Sequence, residues 1–316
     1  MDLRQIRCFV AVYEEGSFSK AAQRERCTQP GLSVHIQHLE AMLLQRLFER
    51  NARGVTPTAA GRHFYACCTD VLSAVKAANQ RMLDLAGSVA GTINIGLPPS
   101  FCKSALASIL PDYVREHPFV DVRIAEAYSG TLTDWVVGGQ LDVAIVTEPP
   151  RHLGLESTRF FRDRLVLVMA PGAAASKVPS RPRTPDELET LKLIVPSERH
   201  SLRRVIGSSV RLDPAAGGKV LELDGLIGTL DLVRNSDWAA ILPVVAVIDE
   251  VREKRLSAAP ISDPELRLDF LLVQTKDQPL SVASQHFLRS LKKALTRISR
   301  PWPDAVEQRR PSARRH

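Results

Sequence analysis

The sequence predicts an α+β multidomain chain in three parts: a small helical head that ends in a basic hairpin, one long helix, and an α/β domain. Three observations predict it. Residues 17–61 hold two short amphipathic helical patterns around a tight turn, with arginines clustered behind them. From Thr58 to about Gly87 no proline interrupts a helical stretch whose apolar residues return every four and three positions. Beyond Gly87, short apolar runs alternate with helical ones, the pattern of an α/β sheet. At 316 residues the chain has room for two or three domains, and its 44% hydrophobic content is ample for their cores.

In the head, Ser17 is placed to cap a helix that buries Phe18, Ala21 and Ala22, and Arg26-Cys27 makes the turn. Thr28 caps the next helix, with Pro30 tolerated in its first turn. That helix buries Leu32, Ile36, Leu39 and Leu43 on one side. Its other side carries Pro30, Val34, Gln37 and His38, with Gln29 and Ser33 on a shoulder and no acid before Glu40. Arg46, Arg50 and Arg53 then surround Asn51 and Gly54, as a hairpin lying along phosphates would need. The whole reads as a winged helix-turn-helix. Such a helix can enter a major groove, where amides and hydroxyls bond base edges and Val34 meets a thymine methyl. The candidate DNA-binding residues are Ser17, Thr28, Gln29, Pro30, Ser33, Val34, His35, Gln37, Arg50 and Arg53. A plain three-helix unit with a solvated polar face is the competing reading.

The long helix places Phe64, Cys68, Val71, Val75, Ala78, Met82 and Leu85 at spacings of 4, 3, 4, 3, 4 and 3. Sustained for about three heptads, this is a coiled-coil seam on a helix about 40 Å long, and a narrow apolar stripe of that kind needs a partner. These seven residues are the candidate dimer contacts; the alternative is packing on the helix's own domain.

In the second half TINIGL, VDVRIAEAY, LDVAIVTE, LVLVMA, LKLIVPS, AAILPV and LDFLLVQT read as strands, with helices such as 100–116 and 131–139 between them. This argues a parallel sheet covered on both faces, whose ligands bind at the carboxyl ends of strands. The loops placed there supply the candidate effector residues Pro99, Ser100, Phe101, Ser129, Gly130, Thr131, Thr147, His200 and Ser201. Each hydroxyl could equally be an ordinary helix cap. Arg199, Arg203 and Arg204 beside His200 either favour an anionic ligand or form a solvated basic helix end.

The net charge of +7 gathers in the first 65 residues and in the Pro- and Arg-rich tail from Arg300, a balance that favours polyanions. No apolar run can span a bilayer and the chain opens on an amphipathic helix, so no membrane association and a cytoplasmic location are expected. Cys8, Cys27, Cys67, Cys68 and Cys102 have no metal-ligand spacing and read as reduced, mostly buried thiols; no metal and no cofactor are expected. No nucleophile elbow, P-loop, HExxH or CxxC motif supports an enzyme.

Residues 1–88 resemble the DNA-binding region of the LysR-type transcriptional regulators: LRQIRCFVAVYEEGSFSKAA, TQPGLSVHIQHLE and RLFERNARGVTPTAAG follow its pattern in order and spacing. Three positions depart, with Gly31 where Ala or Ser is common, His35 where Arg, Lys or Gln is frequent, and Leu44 where Gly usually opens the turn. From 91 to about 297, GTINIGLPPS, EAYSGTLTDWVVGGQLDVAIVTEPP and ELDGLIGTLDLVRNSDWAAILP resemble the regulatory domain of the same family, which is similar to the type-2 periplasmic binding protein fold. There Ser236 and Trp238 replace two common glycines, and Ala127 a third.

The resemblance implies a winged helix-turn-helix domain over 1–60, a linker and dimerisation helix over 58–88, and a two-lobed effector-binding domain over 91–298. Lobe I would take 91–160 and 268–297 and lobe II 163–266, with crossover strands near 146–162 and 267–274, leaving 300–316 as a disordered tail. It implies a DNA-binding transcriptional regulator, not an enzyme. The expected partners are double-stranded DNA, bound at an interrupted inverted repeat by a homodimer or homotetramer, a small-molecule effector, and RNA polymerase as a further candidate. An extracytoplasmic solute receptor, an enzyme on similar lobes and a peroxide sensor are weaker alternatives. The last would want a paired or activated cysteine in the second half, where only Cys102 lies.

Overall fold

The computed structural model describes residues 1–51, 54–85, 89–148, 154–171, 182–212, 219–276 and 278–300, in two compact units that divide at residue 88. In the first unit α1 (Leu3–Glu15) opens on a capping box: Gln5 N donates to the Asp2 carboxylate at 2.8 Å, and Asp2 N donates to the Gln5 side chain at 3.1 Å. It ends at Gly16, whose φ of +58° suits glycine alone without strain. Then come α2 (Phe18–Arg24), α3 (Gln29–Leu43), the antiparallel pair β1 (Phe48–Asn51) and β2 (Gly54–Pro57), and α4 (Ala59–Leu85).

The core of this unit forms where the amphipathic patterns meet. Phe9 is fully buried with its ring centroid 5.2 Å from Phe48 and 4.8 Å from Phe64, and Phe18, Leu32, Ile36 and Leu39 close around them. Leu43 is only half-buried, at the edge of this packing. Gly61 lets α4 pass against the chain before the wing: a Cβ there would lie 2.1 Å from the Leu47 carbonyl oxygen. The coiled-coil reading of α4 needs a correction at its start. Phe64 packs against the head core and Cys68 is 1% exposed within it, so these two side chains are spent inside their own unit. The stripe left open begins at Val71, 41% exposed, and includes Met82, 68% exposed. Cys67 is exposed, against the expectation of buried thiols.

The turn after α3 is carried by Leu44 in the left-handed region, φ +52°. A leucine pays for that conformation with Cβ crowding, and at 86% exposure it recovers nothing by packing. Leu44→Gly should therefore stabilise the first unit by about 0.5–1 kcal/mol in chemical denaturation.

The second unit is a mixed sheet, and here the expected parallel sheet is corrected. Its strands are β3 (Gly91–Leu97), β4 (Val120–Glu126), β5 (Val143–Val146), β6 (Leu155–Met169), β7 (Lys192–Val195), β8 (Lys219–Glu222), β9 (Ala239–Pro243), β10 (Ser257–Pro260) and β11 (Arg267–Thr275). The order is β4-β3-β5-β11-β6-β9-β7-β8, with β10 on β6. Parallel pairing holds within each lobe, β3 with β4 and β5, and β7 with β8 and β9. The crossovers run the other way: β11 is antiparallel to β5 and β6, and β6 to β9 and β10. Strands β8 and β10 are not foreseen, since KVLE and SAAP carry neither alternation nor a long apolar run.

Helices α5 (Pro99–Glu116), α6 (Ser129–Val137) and α11 (Val282–Ser299) cover the first lobe. The second carries α7 (Pro185–Glu189), α8 (Ser201–Gly207), α9 (Leu226–Arg234) and α10 (Val244–Arg252). Residues 301–316, expected as a disordered tail, lie outside the described residues.

Between α5 and α10 the lobes share one buried carboxylate. Glu250, 5% exposed, takes Lys103 Nζ at 3.2 Å, Arg234 Nη2 at 3.1 Å and Arg255 Nε at 2.6 Å. The Arg255 hydrogen bond first, and then the Lys103 ammonium, outweigh the cost of burial and hold its pKa down to about 2. A carboxylate depressed in the fold contributes stability above its ordinary titration range and loses it as pH falls through the folded value. Glu250→Gln should cost on the order of 3 kcal/mol near neutral pH, with the gap to the parent narrowing as pH falls below about 4 in urea melts.

Candidate functional site

The face of α3 follows from its caps. Thr28 Oγ1 accepts from Gly31 N at 3.3 Å, and Ser17 Oγ accepts from Lys20 N at 3.4 Å, so both helices of the motif start where the hydroxyls fall. A capping oxygen still has its own O–H to donate to a phosphate. Gln29, Pro30, Val34, Gln37 and His38 are exposed on one side, with Ser33 and His35 half-buried beside them. The Gln29 side-chain oxygen accepts from Ser19 at 2.9 Å, which orients the amide and turns its NH2 to donate outward. No acidic residue stands between Gln29 and Leu39. Arg50 lies on β1, and Arg53 lies outside the described residues.

Glu40 is the residue of this face that sequence reasoning missed. It looked like the end of the neutral surface, yet its carboxylate turns inward and accepts from Leu47 N at 2.8 Å and Phe48 N at 3.2 Å. One side chain of α3 thus satisfies two backbone donors at the root of the wing. Glu40→Ala should leave both amides without that partner and destabilise the first unit by about 1–3 kcal/mol, seen as earlier unfolding and faster amide exchange at Leu47 and Phe48.

In the second unit a cleft of ≈ 760 Å³, part of it open to solvent, lies between the lobes at the strand ends. Of the expected effector residues, Pro99, Ser100, Ser129, Thr147, His200 and Ser201 line it. Three do not. Phe101 is fully buried, its ring 4.5 Å from Phe270, because its position in the first turn of α5 faces the core. Gly130 and Thr131 are exposed on α6, turned away from the opening where Ser129 faces it. Asp224, Tyr128, Leu226 and Phe270 line the cleft without having been singled out; of these only Tyr128 lay in a loop the strand pattern had marked.

A polar bridge crosses the opening. Ser201 Oγ donates to Thr147 Oγ1 at 2.6 Å, Thr147 N donates to Ser129 Oγ at 3.0 Å, and those two hydroxyls lie 3.1 Å apart. The Tyr128 hydroxyl donates to the Asp224 carbonyl, and its ring meets His200 edge-on at 4.4 Å. Outside them Arg204 pairs with Glu148 at 2.6 Å. Arg199, Arg203 and Arg204 therefore do not line the cleft. Asp224 is held below the usual carboxylate range, chiefly because Ser197 N donates to it at 2.8 Å, with the Ser197 hydroxyl, His200 and Arg199 adding smaller contributions.

Residues 3–62 match the family described as bacterial regulatory helix-turn-helix protein, lysR family, and residues 86–296 match the LysR substrate binding domain. The chain belongs to the LysR family. It is a DNA-binding transcriptional regulator with an effector-binding domain. Among curated relatives, the nitrogen assimilation regulatory protein nac of Klebsiella aerogenes is 27% identical over 302 residues, covering 95% of this chain and 96% of that protein. A probable RuBisCO transcriptional regulator of Synechocystis is 27% identical over 318 residues, covering 98% and 89%. These relatives are named as regulators, not enzymes. Full-length OxyR from Pseudomonas aeruginosa shares the LysR fold at a TM-score of 0.74 and 21% identity, covering 98% of this chain and 99% of that one. Full-length CbnR, solved with its target DNA, matches at 0.63 and 19%, covering 93% and 100%. Among the described residues no helix is long and apolar enough to cross a membrane.

Proposed function

We propose that this regulator binds an interrupted inverted-repeat operator as a dimer or a dimer of dimers, and that a small effector with an anionic or strongly accepting head sets its response from the cleft. The observation that carries the DNA part is the exposed polar face of α3, free of acidic residues from Gln29 to Leu39. Gln29, Ser33, Val34, His35 and Gln37 read base edges or phosphates there, with Pro30 seated in the first turn and Ser17 and Thr28 donating to the backbone. Arg50 and Arg53 of the wing follow the phosphates. CbnR, of the same fold, was solved on its target DNA, which supports this docking.

The dimer rests on α4, through the part of the stripe that the head does not use, Val71, Val75, Ala78 and Met82, with Leu85 next in the sequence pattern. Two heads held at fixed spacing would read two half-sites, and RNA polymerase is the partner such a bound regulator addresses. In the cleft Ser100, Ser129, Thr147, Ser201 and His200 face the effector with Pro99 beside them, and the amino ends of α5 and α6 favour an accepting group.

Gln29→Ala or Ser33→Ala should lose about 1–3 kcal/mol of binding to an operator while barely changing affinity for random duplex, measured by fluorescence anisotropy. Equal operator affinity for parent and both variants would overturn the reading of α3. Val75→Asp places a charge in the proposed seam, and sedimentation should then show monomers with operator binding lost. A fully dimeric Val75→Asp would move the interface elsewhere.

A further inference from the structure

The hydrogen-bond inventory of the cleft sets a group of donors beside an acceptor. Donors are in surplus at the hydroxyl cluster. Ser129, Thr147 and Ser201 bring three hydroxyl protons; one goes from Ser201 to Thr147 and one lies between Thr147 and Ser129, which leaves one to point into the cleft. Ser100 adds another: it lines the cleft at 9% exposure, and its hydroxyl has no partner among the described residues. Its oxygen keeps contact with solvent in the cleft, so it can donate to a ligand that displaces the water there.

Beside this cluster stands an acceptor, since His200, the neighbour of Ser201, reaches Asp224, and Tyr128, the neighbour of Ser129, donates to the Asp224 carbonyl. Asp224 holds its ionised carboxylate by Ser197 N at 2.8 Å and Ser197 Oγ at 3.1 Å, with His200 Nε2 at 3.5 Å. No lysine or arginine stands among the described lining residues to balance it. Its side chain is 50% exposed at the rim, where an incoming group can reach it. The remaining walls are apolar, with Pro99, Ile194, Leu226, Leu242 and Phe270.

Resting on the reading of this cleft as the effector site, we infer that it takes a monocarboxylate carrying an amino group on an apolar body, the class to which free apolar amino acids belong. The carboxylate accepts from Ser100 and the hydroxyl cluster, the ammonium donates to Asp224, and the body fills the apolar walls. A dicarboxylate would set its second charge against Asp224, and an amine without a carboxylate would leave the Ser100 donor unmet. This narrows the simple anion that the neighbouring arginines suggest: Arg199, Arg203 and Arg204 lie outside the lining, and the ionised side chain inside is an acid.

Calorimetry on the full chain tests this with matched probes: L-leucine against isocaproate, L-phenylalanine against hydrocinnamate, and adipate as the dianion. An amine-bearing probe should bind at least about tenfold tighter than its deaminated twin, and adipate should not bind. Asp224→Asn should erase the difference between twins, and Ser100→Ala should weaken both members of a pair alike. Twins that bind the parent equally, adipate as the tighter ligand, a preference that survives Asp224→Asn, or no binding by either amino acid would each overturn the inference. The underlying reading fails separately. If Ser100→Ala weakens whichever probe binds, the cleft remains the effector site even when the amine preference is absent; a bound probe indifferent to Ser100→Ala puts the ligand outside the cleft.

Discussion

A strand that belongs to both lobes at once is the constraint on which the effector domain depends. From Leu155 to Arg164, β6 pairs with β11, and from Leu165 to Val168 it pairs with β9, so any movement of one lobe against the other turns about one continuous ladder. Asp163 sits at the change of partner. It is 1% exposed, accepts from Val245 N at the start of α10 at 2.8 Å, and accepts from Ser299 at the end of α11 at 2.7 Å. Burial raises its pKa, and these two donors with the Arg164 backbone oppose that rise. One carboxylate thus ties the crossover, the first turn of a helix that borders the cleft, and the last turn of a helix on the other lobe.

The cleft follows from that frame. Parallel strands inside each lobe aim their carboxyl ends and the following helix starts at the same gap, which brings Ser100, Ser129 and Ser201 together from three separate loops. The lobes then meet on both sides of the gap: behind it through Glu250 and Lys103 at 3.2 Å, and across it through Thr147 and Ser201 at 2.6 Å, Tyr128 and Asp224, and Glu148 and Arg204. The head obeys a different economy. It is small, and its aromatic core is completed by Phe64 from α4, so the helix proposed to join two copies is also part of what makes each head fold.

The sequence made the head legible because caps and periodicity act locally: Ser17 and Thr28 each cap the helix they were expected to start, and Thr58 caps α4 where the proline-free stretch begins. The 4-3 stripe of α4 was equally visible, but periodicity reports only which face is apolar, so Phe64 and Cys68 could not be told from seam residues until the head packed on them. In the second unit apolar runs marked most strands, but direction is a property of pairing, and nothing in LVLVMA or LDFLLVQT says antiparallel. Hydroxyls beside helix starts found the polar side of the cleft, Ser100, Ser129, Thr147 and Ser201, but not its apolar walls. Asp224 stayed hidden because its role depends on Ser197 and His200, 27 and 24 positions away, brought near only by the α/β winding. Phe101 misled because one helical step separates it from Ser100, enough to turn it into the core.

The polar bridge of Thr147, Ser201, Glu148 and Arg204 holds the lobes together about the β6–β11 crossover. Spin labels on exposed Thr131 in the first lobe and exposed Ile227 in the second would measure it directly by pulsed dipolar spectroscopy. A single narrow distance is expected in the otherwise unaltered chain, and a longer, broader distribution once Thr147→Val and Glu148→Gln are introduced together. An unchanged distribution in that double variant would contradict it.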